Sequence, residues 1–444
     1  MSPLSETPTR RALLAAGGAV GTASLLGLFS GLFDRDAPYA TAGATCAAPV
    51  SEPAAAGAAT WPAAGHDAGA TGHNPAVDVT TPPGDAAWTH GYPPSTFPTD
   101  AAIGTDRLYV SVADYRASPA ETRVEARALA DGTRRWTHSL PHRGVWPPTL
   151  APDGADRETL YVASGQDESN TGPGQGVVFA LDPASGDVRW REDFDRHLSG
   201  PVVAAGGRVF VRVTTYGAAG VHALDATTGD RLWWFPTGDV LHDAPTVADD
   251  RLFVNSGRER LAAVNVGDGT LDWESDAPGD STRPVVDAAR GHVLMGHFEG
   301  VAAYCAETGE RAWHLVLTQT GADDEQMRGV IGEPVVTDDL LYVTTSDTTP
   351  GIIGGTTRLR GVAPDTGAIR WTVDDDVGAV VGAGGRALVE RESGVQARTA
   401  EGAVAWRSST AWRPVAVGSD FLYADRNNTG ANGDAPAIAC FPLD

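Results

Sequence analysis

Ala223-Leu224-Asp225-Ala226-Thr227-Thr228-Gly229-Asp230-Arg231-Leu232-Trp233 is the stretch of this 444-residue chain from which its architecture can be read. It spells a strand, a tight turn and a second strand. The Asp225 carboxylate can accept hydrogen bonds from the turn that follows it, and Gly229 supplies the positive φ such turns need. Trp233 carries more apolar area than one sheet can bury, so it calls for a second sheet to dock against. Upstream, Pro201-Val202-Val203, a turn at Ala205-Gly206-Gly207 and the alternating stretch Arg208 to Thr214 add two more strands. Residues 201–235 therefore form one four-stranded antiparallel unit, unstable until neighbours cover its faces.

The glycine–tryptophan pair recurs as Gly84/Trp88, Gly132/Trp136, Gly186/Trp190, Gly229/Trp233, Gly269/Trp273, Gly309/Trp313, Gly367/Trp371 and Gly402/Trp406, at separations of 48, 54, 43, 40, 40, 58 and 35 residues. A period in this range signals a repeat architecture. The eight tryptophans are the expected docking residues, each burying its ring between sheets. The pattern predicts an all-β fold, an eight-bladed β-propeller of four-stranded antiparallel blades. Ala437-Ile438-Ala439-Cys440-Phe441 reads as a third strand with no Gly-x-x-x-Trp after it, and Gly84 to His90 reads as a strand without a blade. Pairing the two closes the ring and removes the edges an open array would expose. A seven-bladed ring would orphan one strand and ranks second.

The Ala223–Trp233 stretch resembles the tryptophan-docking motif of the pyrroloquinoline-quinone-type (PQQ-type) propeller repeats, and Ala180-Leu181-Asp182-Pro183-Ala184-Ser185-Gly186-Asp187-Val188-Arg189-Trp190 matches it almost as well. Cys305 replaces the Asp before Gly309, and Arg398 occupies that place before Gly402. For the dehydrogenases of this family the resemblance implies a quinone held against adjacent cysteines, Ca²⁺ on carboxylate and Asn ligands, and an Asp base. No two cysteines here are adjacent, and no motif carries over a Ca²⁺ ligand or a base. PQQ and Ca²⁺ are therefore not expected as cofactors, and a quinone- or metal-dependent oxidoreductase is the alternative reading. In architecture the chain is similar to the propeller lipoprotein of outer-membrane barrel assembly.

Net charge is −24, from 57 acidic residues against 33 basic ones, all of them Arg. Such a surface suits an exported protein of haloarchaeal type, soluble where salt screens charge, and argues against a nucleic-acid partner. The absence of Lys excludes Walker-type phosphate binding and Schiff-base chemistry. Arg10 and Arg11, ahead of an apolar run to Phe33, read as a twin-arginine signal or a retained membrane anchor over residues 1–33. Residues 34–60, rich in Ala, Pro, Gly and Thr, read as a disordered linker. Residues 61–83, with Trp61-Pro62, His66-Asp67 and Thr71-Gly72-His73-Asn74-Pro75, read as a lead-in to the propeller over 84–444. Three cysteines make no disulfide framework. Cys46 and Cys440 are the pair weighed for a disulfide, against a free Cys46, with Cys305 as a buried apolar residue.

Seven innermost strands begin at or near a proline, and the residues just ahead of them should ring the channel mouth: Trp146, His197, His242, Asp243, Arg283, Glu333, Trp412 and Arg413. Such a ring can bind a polar, planar or anionic ligand; as ordinary solvated loop residues they would bind nothing. His138 and His142 lack the Cys or carboxylate partners of a metal site, and Gly-x-Ser-x-Gly and His-Glu-x-x-His are absent. Insertions at 164–176, 316–333 and 345–358 are either interaction loops or decoration, and Asn427-Asn428-Thr429 is a glycosylation sequon. The expectation is a non-catalytic, exported, monomeric propeller at the cell surface, with a protein partner or a small polar ligand.

Overall fold

Eight small antiparallel sheets follow one another along the chain. The computed structural model describes residues 38–443 except 47–48, 52–59, 115–120, 167–174, 215–218, 239–243, 256–258, 279–281, 298, 318–326, 331, 349–355, 375, 410–411, 419 and 427–434. The leader with Arg10 and Arg11, and the sequon, lie outside these residues. Among the described residues the only helix is a 3₁₀ turn at Ala288–Arg290, and no helix is long and apolar enough to cross a membrane.

Blade 1 comprises Thr96–Ile103, Arg107–Asp114, Glu121–Ala128 and Arg134–Leu140. The innermost strands of blades 2 to 8 are Thr149–Pro152, Val203–Ala205, Thr246–Ala248, Val285–Asp287, Val335–Val336, Val377–Ala383 and Arg413–Val417. Each innermost strand touches the next around the ring, and the eighth touches the first. Blade 8 takes its outer strand, Trp88–Gly91, from the start of the chain, with Trp88 opposite Cys440 and Gly91 opposite Ala437. The ring has eight blades and the shared last blade that the sequence predicts.

Each repeat tryptophan leans onto the outer turn of the following blade. The indole N–H of Trp190 donates to Ala226 O at 3.0 Å, that of Trp313 to Pro364 O at 2.8 Å and that of Trp88 to Leu129 O at 2.6 Å. The glycine of that turn has two jobs. Gly229 and Gly367 take φ of 81° and 71°, and a Cβ on them would come within 2.7 Å and 2.5 Å of the docked indole. Gly84 is the exception. It has nothing within 4 Å, because Trp406 finds its acceptor at Val79 O, 3.0 Å away.

The eight rings dock to different depths. Trp88, Trp190, Trp313 and Trp406 are buried, whereas Trp136, Trp233, Trp273 and Trp371 are only half-buried. These four still dock, donating to Pro183 O (3.0 Å), Val266 O (3.1 Å), Ala306 O (3.1 Å) and Ala400 O (2.8 Å) of the next blade. Their strands are the outermost of their sheets, as the exposed and half-buried residues of Leu271–Asp276 and Ile369–Asp374 show. One face of the indole rests on the neighbouring turn, and its outer edge meets solvent.

All three insertions are partly strand. Gln166 pairs with Gln175 in blade 2, and Asp347 with Thr356 in blade 6. Short strands at Gly144–Val145 and Met327–Val330 pair onto these extensions. Blades 2 and 6, opposite each other in an eight-membered ring, are thus lengthened on the side where loops enter the innermost strands.

Residues 34–60 do not behave as a disordered linker over their described part. Tyr39–Ala42 is a strand that pairs antiparallel with Arg311–Val316, giving blade 5 a fifth strand. Gly43 N and Ala44 N continue the contact to Ala312 O (2.7 Å) and Arg311 O (2.9 Å), and Val50 N donates to Ala288 O at 3.0 Å. An exposed strand edge offers unpaired backbone groups, and these satisfy a segment with no hydrophobic period of its own. Ala44 and Cys46 pack against the apolar cluster that holds Trp313, which adds cover to this copy from outside the repeats.

That strand also overturns the cysteine assignment. Cys46 is disulfide-bonded to Cys305 with 5.2 Å between Cα atoms, and Cys440 is the free, buried thiol. The physical reason is register: pairing along the outer strand of blade 5 delivers Cys46 to the position where the repeat usually carries Asp. Burial pushes the Cys440 thiol up to about 12. Alkylation under denaturing, non-reducing conditions should therefore label one thiol, and native protein none. Reduction should lower the unfolding free energy by up to about 5 kcal/mol on chain-entropy grounds; three labelled thiols before reduction would contradict the bond.

Candidate functional site

The centre of the ring is filled by the chain's own lead-in. Trp61 exchanges backbone hydrogen bonds with Ile103 of blade 1 (3.0 and 2.8 Å). Pro62, Ala68, Gly69 and Thr71 then accept from Leu150, Val247, Val286 and Val336 of blades 2, 4, 5 and 6, at 2.7 to 2.9 Å. Gly72 and Asn74 accept from Gly382 and Gly384 of blade 7 (2.8 and 2.9 Å), and Asn74 Nδ2 donates to Val417 O of blade 8 at 2.9 Å. The cause lies in the architecture. An innermost strand has a bare edge towards the axis, and a buried backbone donor or acceptor left unpaired is costly. The lead-in folds to reach these edges through positive φ at Gly65, His66, Ala70 and Gly72. Asp67 holds the loop by accepting from Thr71 Oγ1 (2.6 Å) and Thr71 N (3.2 Å). Burial raises the pKa of Asp67, but the bonds from His66 and Thr71 outweigh it and keep the carboxyl below its usual value.

A cavity of about 360 Å³ lies on the loop-entry side of this plug, lined by Trp61, Asp100, Glu333, Thr344, Gly378 and Arg413 among others. Arg413 binds Asp425 through Nε (2.8 Å) and Nη2 (2.6 Å), and Asp100 through Nη2 (2.6 Å). Burial alone would lower the Arg413 pKa, but the two carboxylates raise it above its ordinary value. Asp425 is fully buried, and burial lifts its pKa against the pull of Arg413. The guanidinium is thus a fixed clamp between blades 8 and 1, and it faces the cavity with its charge already matched.

The predicted ring residues are divided by the structure. Glu333 and Arg413 line one cavity. Trp146 and His197 meet edge-on with centroids 6.2 Å apart. Trp412 packs instead against Phe441 and beneath Arg426, whose Cζ is 5.0 Å from the ring centroid. Arg283 turns inward and donates to Ala64 O (3.1 Å) and Pro245 O (3.2 Å). His242 and Asp243 lie outside the described residues. Asp100, Asp425 and Trp61 were missed. Asp100 follows Pro98 instead of preceding it, and the bulge between Pro98 and Ala101 carries it into the mouth.

Blade 5 carries an imidazole pair away from the mouth. His297 Nδ1 accepts from Glu299 N (3.1 Å), so its Nε2 bears the proton and donates to His314 Nε2 at 3.0 Å. Burial, then the neighbouring His314, pushes the His297 pKa down to about 3. Its stabilising contribution should be complete above pH 6.5. It should fall by about 1.4 kcal/mol per pH unit as the solution is acidified from there towards pH 3. NMR titration should find His297 neutral at pH 5; a midpoint near 6.5 would contradict the pairing. Among the described residues no three His, Cys, Asp or Glu are grouped to hold a metal ion.

Residues 174–356 match the family model described as outer membrane protein assembly factor BamB. Over this stretch the repeats match the PQQ-type propeller pattern. The chain is 31 % identical over 214 residues to outer membrane protein assembly factor BamB of Shewanella oneidensis, covering 44 % of this chain and 51 % of that one. It spans about half the length of the curated BamB relatives it matches. Among solved structures, quinohemoprotein alcohol dehydrogenase from Comamonas testosteroni superposes over 88 % of this chain and 81 % of its own, with a TM-score of 0.63 at 14 % identity. BamB from Moraxella catarrhalis superposes over 80 % and 97 %, with a TM-score of 0.53 at 17 % identity. At these identities the likeness is one of fold.

Proposed function

We propose that this chain is a non-catalytic, exported β-propeller that serves as a binding or scaffold module at the cell surface, with a protein as its partner. The observation that carries the reading is the plug. Residues 61–74 occupy the ring centre by hydrogen bonds to seven of the eight innermost strands or the turns that end them, so the axis is committed to structure. A quinone tricarboxylate would meet Asp100, Glu333 and an Arg413 already held by two carboxylates. This donor set does not fit such an anion. Blades 2 and 6, lengthened on the loop-entry side, offer raised surfaces for a partner, and the outer-membrane assembly factors it resembles support a role in holding other proteins.

Cross-linking from Glu333→Cys on the mouth should capture a discrete protein from the native envelope fraction, and the same label at exposed Leu271 on blade 4 should not. With added quinone and Ca²⁺ the protein should turn over no alcohol or sugar. Dye-linked turnover abolished by a chelator would overturn the scaffold reading in favour of the oxidoreductase.

A further inference from the structure

A second and larger cavity, about 560 Å³, lies between the plug and blades 2 and 3, where the innermost strands end in their turns. Leu150, Val202, Val203 and Ala204 give it apolar walls, and Arg283 reaches it from the plug side. Arg283 is 4 % exposed. Its guanidinium donates only to two neutral carbonyls, of Ala64 and Pro245, and its Nε has no acceptor among the described residues. A buried guanidinium without a carboxylate is an uncompensated charge, which folded proteins ordinarily avoid.

Three carboxylates share the lining, and two are committed to their own loops. Asp67 is bonded by Thr71 and His66. Asp153 accepts from Ala155 N (2.8 Å), Arg157 N (3.0 Å) and the Arg157 guanidinium (2.8 Å). Asp156 sits at the turn with φ of 57°, at the open end of the innermost strand. None of the three forms an ion pair with Arg283 among the described residues.

We propose that this cavity binds a small carboxylate with an apolar body, its carboxylate on Arg283 and its hydrocarbon against Leu150, Val202 and Val203. A largely apolar pocket of this size with a few polar groups is the usual form of a small-molecule site, and Arg283 is the one cationic side chain in this lining. The charge-assisted bond to a guanidinium selects carboxylate over a neutral head of equal shape. The site lies on the far side of the plug from the mouth cavity, so it stands or falls independently of the scaffold reading.

Octanoate, 1-octanol and octylamine are suitable probes, titrated calorimetrically into the full chain at constant ionic strength. Octanoate should bind saturably and raise the melting temperature, and the alcohol and amine should bind about tenfold more weakly or worse. Arg283→Gln, which still donates to carbonyls, should abolish the preference for octanoate over octanol. Val203→Trp leaves Arg283 in place but fills the cavity, and it should abolish binding of all three probes. Equal affinity for octanoate and octanol in the unaltered protein would overturn the proposal. So would unchanged octanoate binding in Val203→Trp, a test that stands even where Arg283→Gln fails to fold. Bromide that occupies Arg283 and is not displaced by octanoate would reduce the site to an inorganic-anion site and overturn the apolar part.

Discussion

Replacing Trp313 with alanine is expected to lower the unfolding free energy by about 3–5 kcal/mol. Trp313 is the deepest of the repeat tryptophans at 1 % exposure. Its indole lies on Gly367 and donates to Pro364 O, so it joins blade 5 to blade 6 by both packing and a hydrogen bond. Alanine removes the ring, leaves a void between two sheets too rigid to collapse, and strands a buried carbonyl. The same change at Trp233, or at the equally half-buried Trp136, Trp273 and Trp371, should cost less. Denaturant midpoints for Trp313→Ala and Trp233→Ala test the ordering. A loss below about 1 kcal/mol at Trp313 would mean that the blades are not held by tryptophan docking.

Deleting residues 60–79 should remove the folded monomer altogether. The deletion exposes axial backbone edges on seven blades and takes away the Val79 carbonyl that Trp406 docks onto. Bare strand edges around a ring are templates for intermolecular pairing, so the variant should elute as aggregate on gel filtration. A graded version is Asn74→Ala, which leaves the buried Val417 carbonyl without its donor and should cost about 1–3 kcal/mol. A deletion variant that stays monomeric and melts cooperatively at the original temperature would reduce the plug to a passive filler.

These two experiments separate what was legible in the chain from what was not. Gly-x-x-x-Trp spacing is local chemistry: a turn needs positive φ, and a tryptophan beyond it needs a facing sheet. Eight copies and one orphan strand at each end of the propeller were enough to count the blades and to pair Trp88–Gly91 with Ala437–Pro442. The second role of the glycine, as the floor under the preceding blade's indole, is a contact between residues some 40 positions apart, such as Trp190 with Gly229, and no turn rule contains it. Docking depth was equally hidden. Trp273 and Trp313 share one motif, yet Trp313 lies within its cluster, under Ala44 and Cys46, whereas Trp273 packs half-buried at the edge of its own.

The candidate site was legible only as a set of loop residues. Pro-flanked strand starts brought Glu333 and Arg413 to one cavity. Whether Arg283 faces the mouth or the plug, and whether Asp100 joins the mouth, depends on bulges and on a segment from the other end of the propeller. Cys46 found Cys305 for the same reason: an unpatterned stretch carries no signal of where it will pair, and an open sheet edge accepts any backbone that reaches it. By itself the sequence determined the repeat, the blade count and the way the ring closes, because periodicity is written in side-chain types. The filled axis, the strap on blade 5 and the orientation of each charged residue were decided by tertiary structure, because backbone hydrogen bonds recruit segments by proximity and not by side-chain identity.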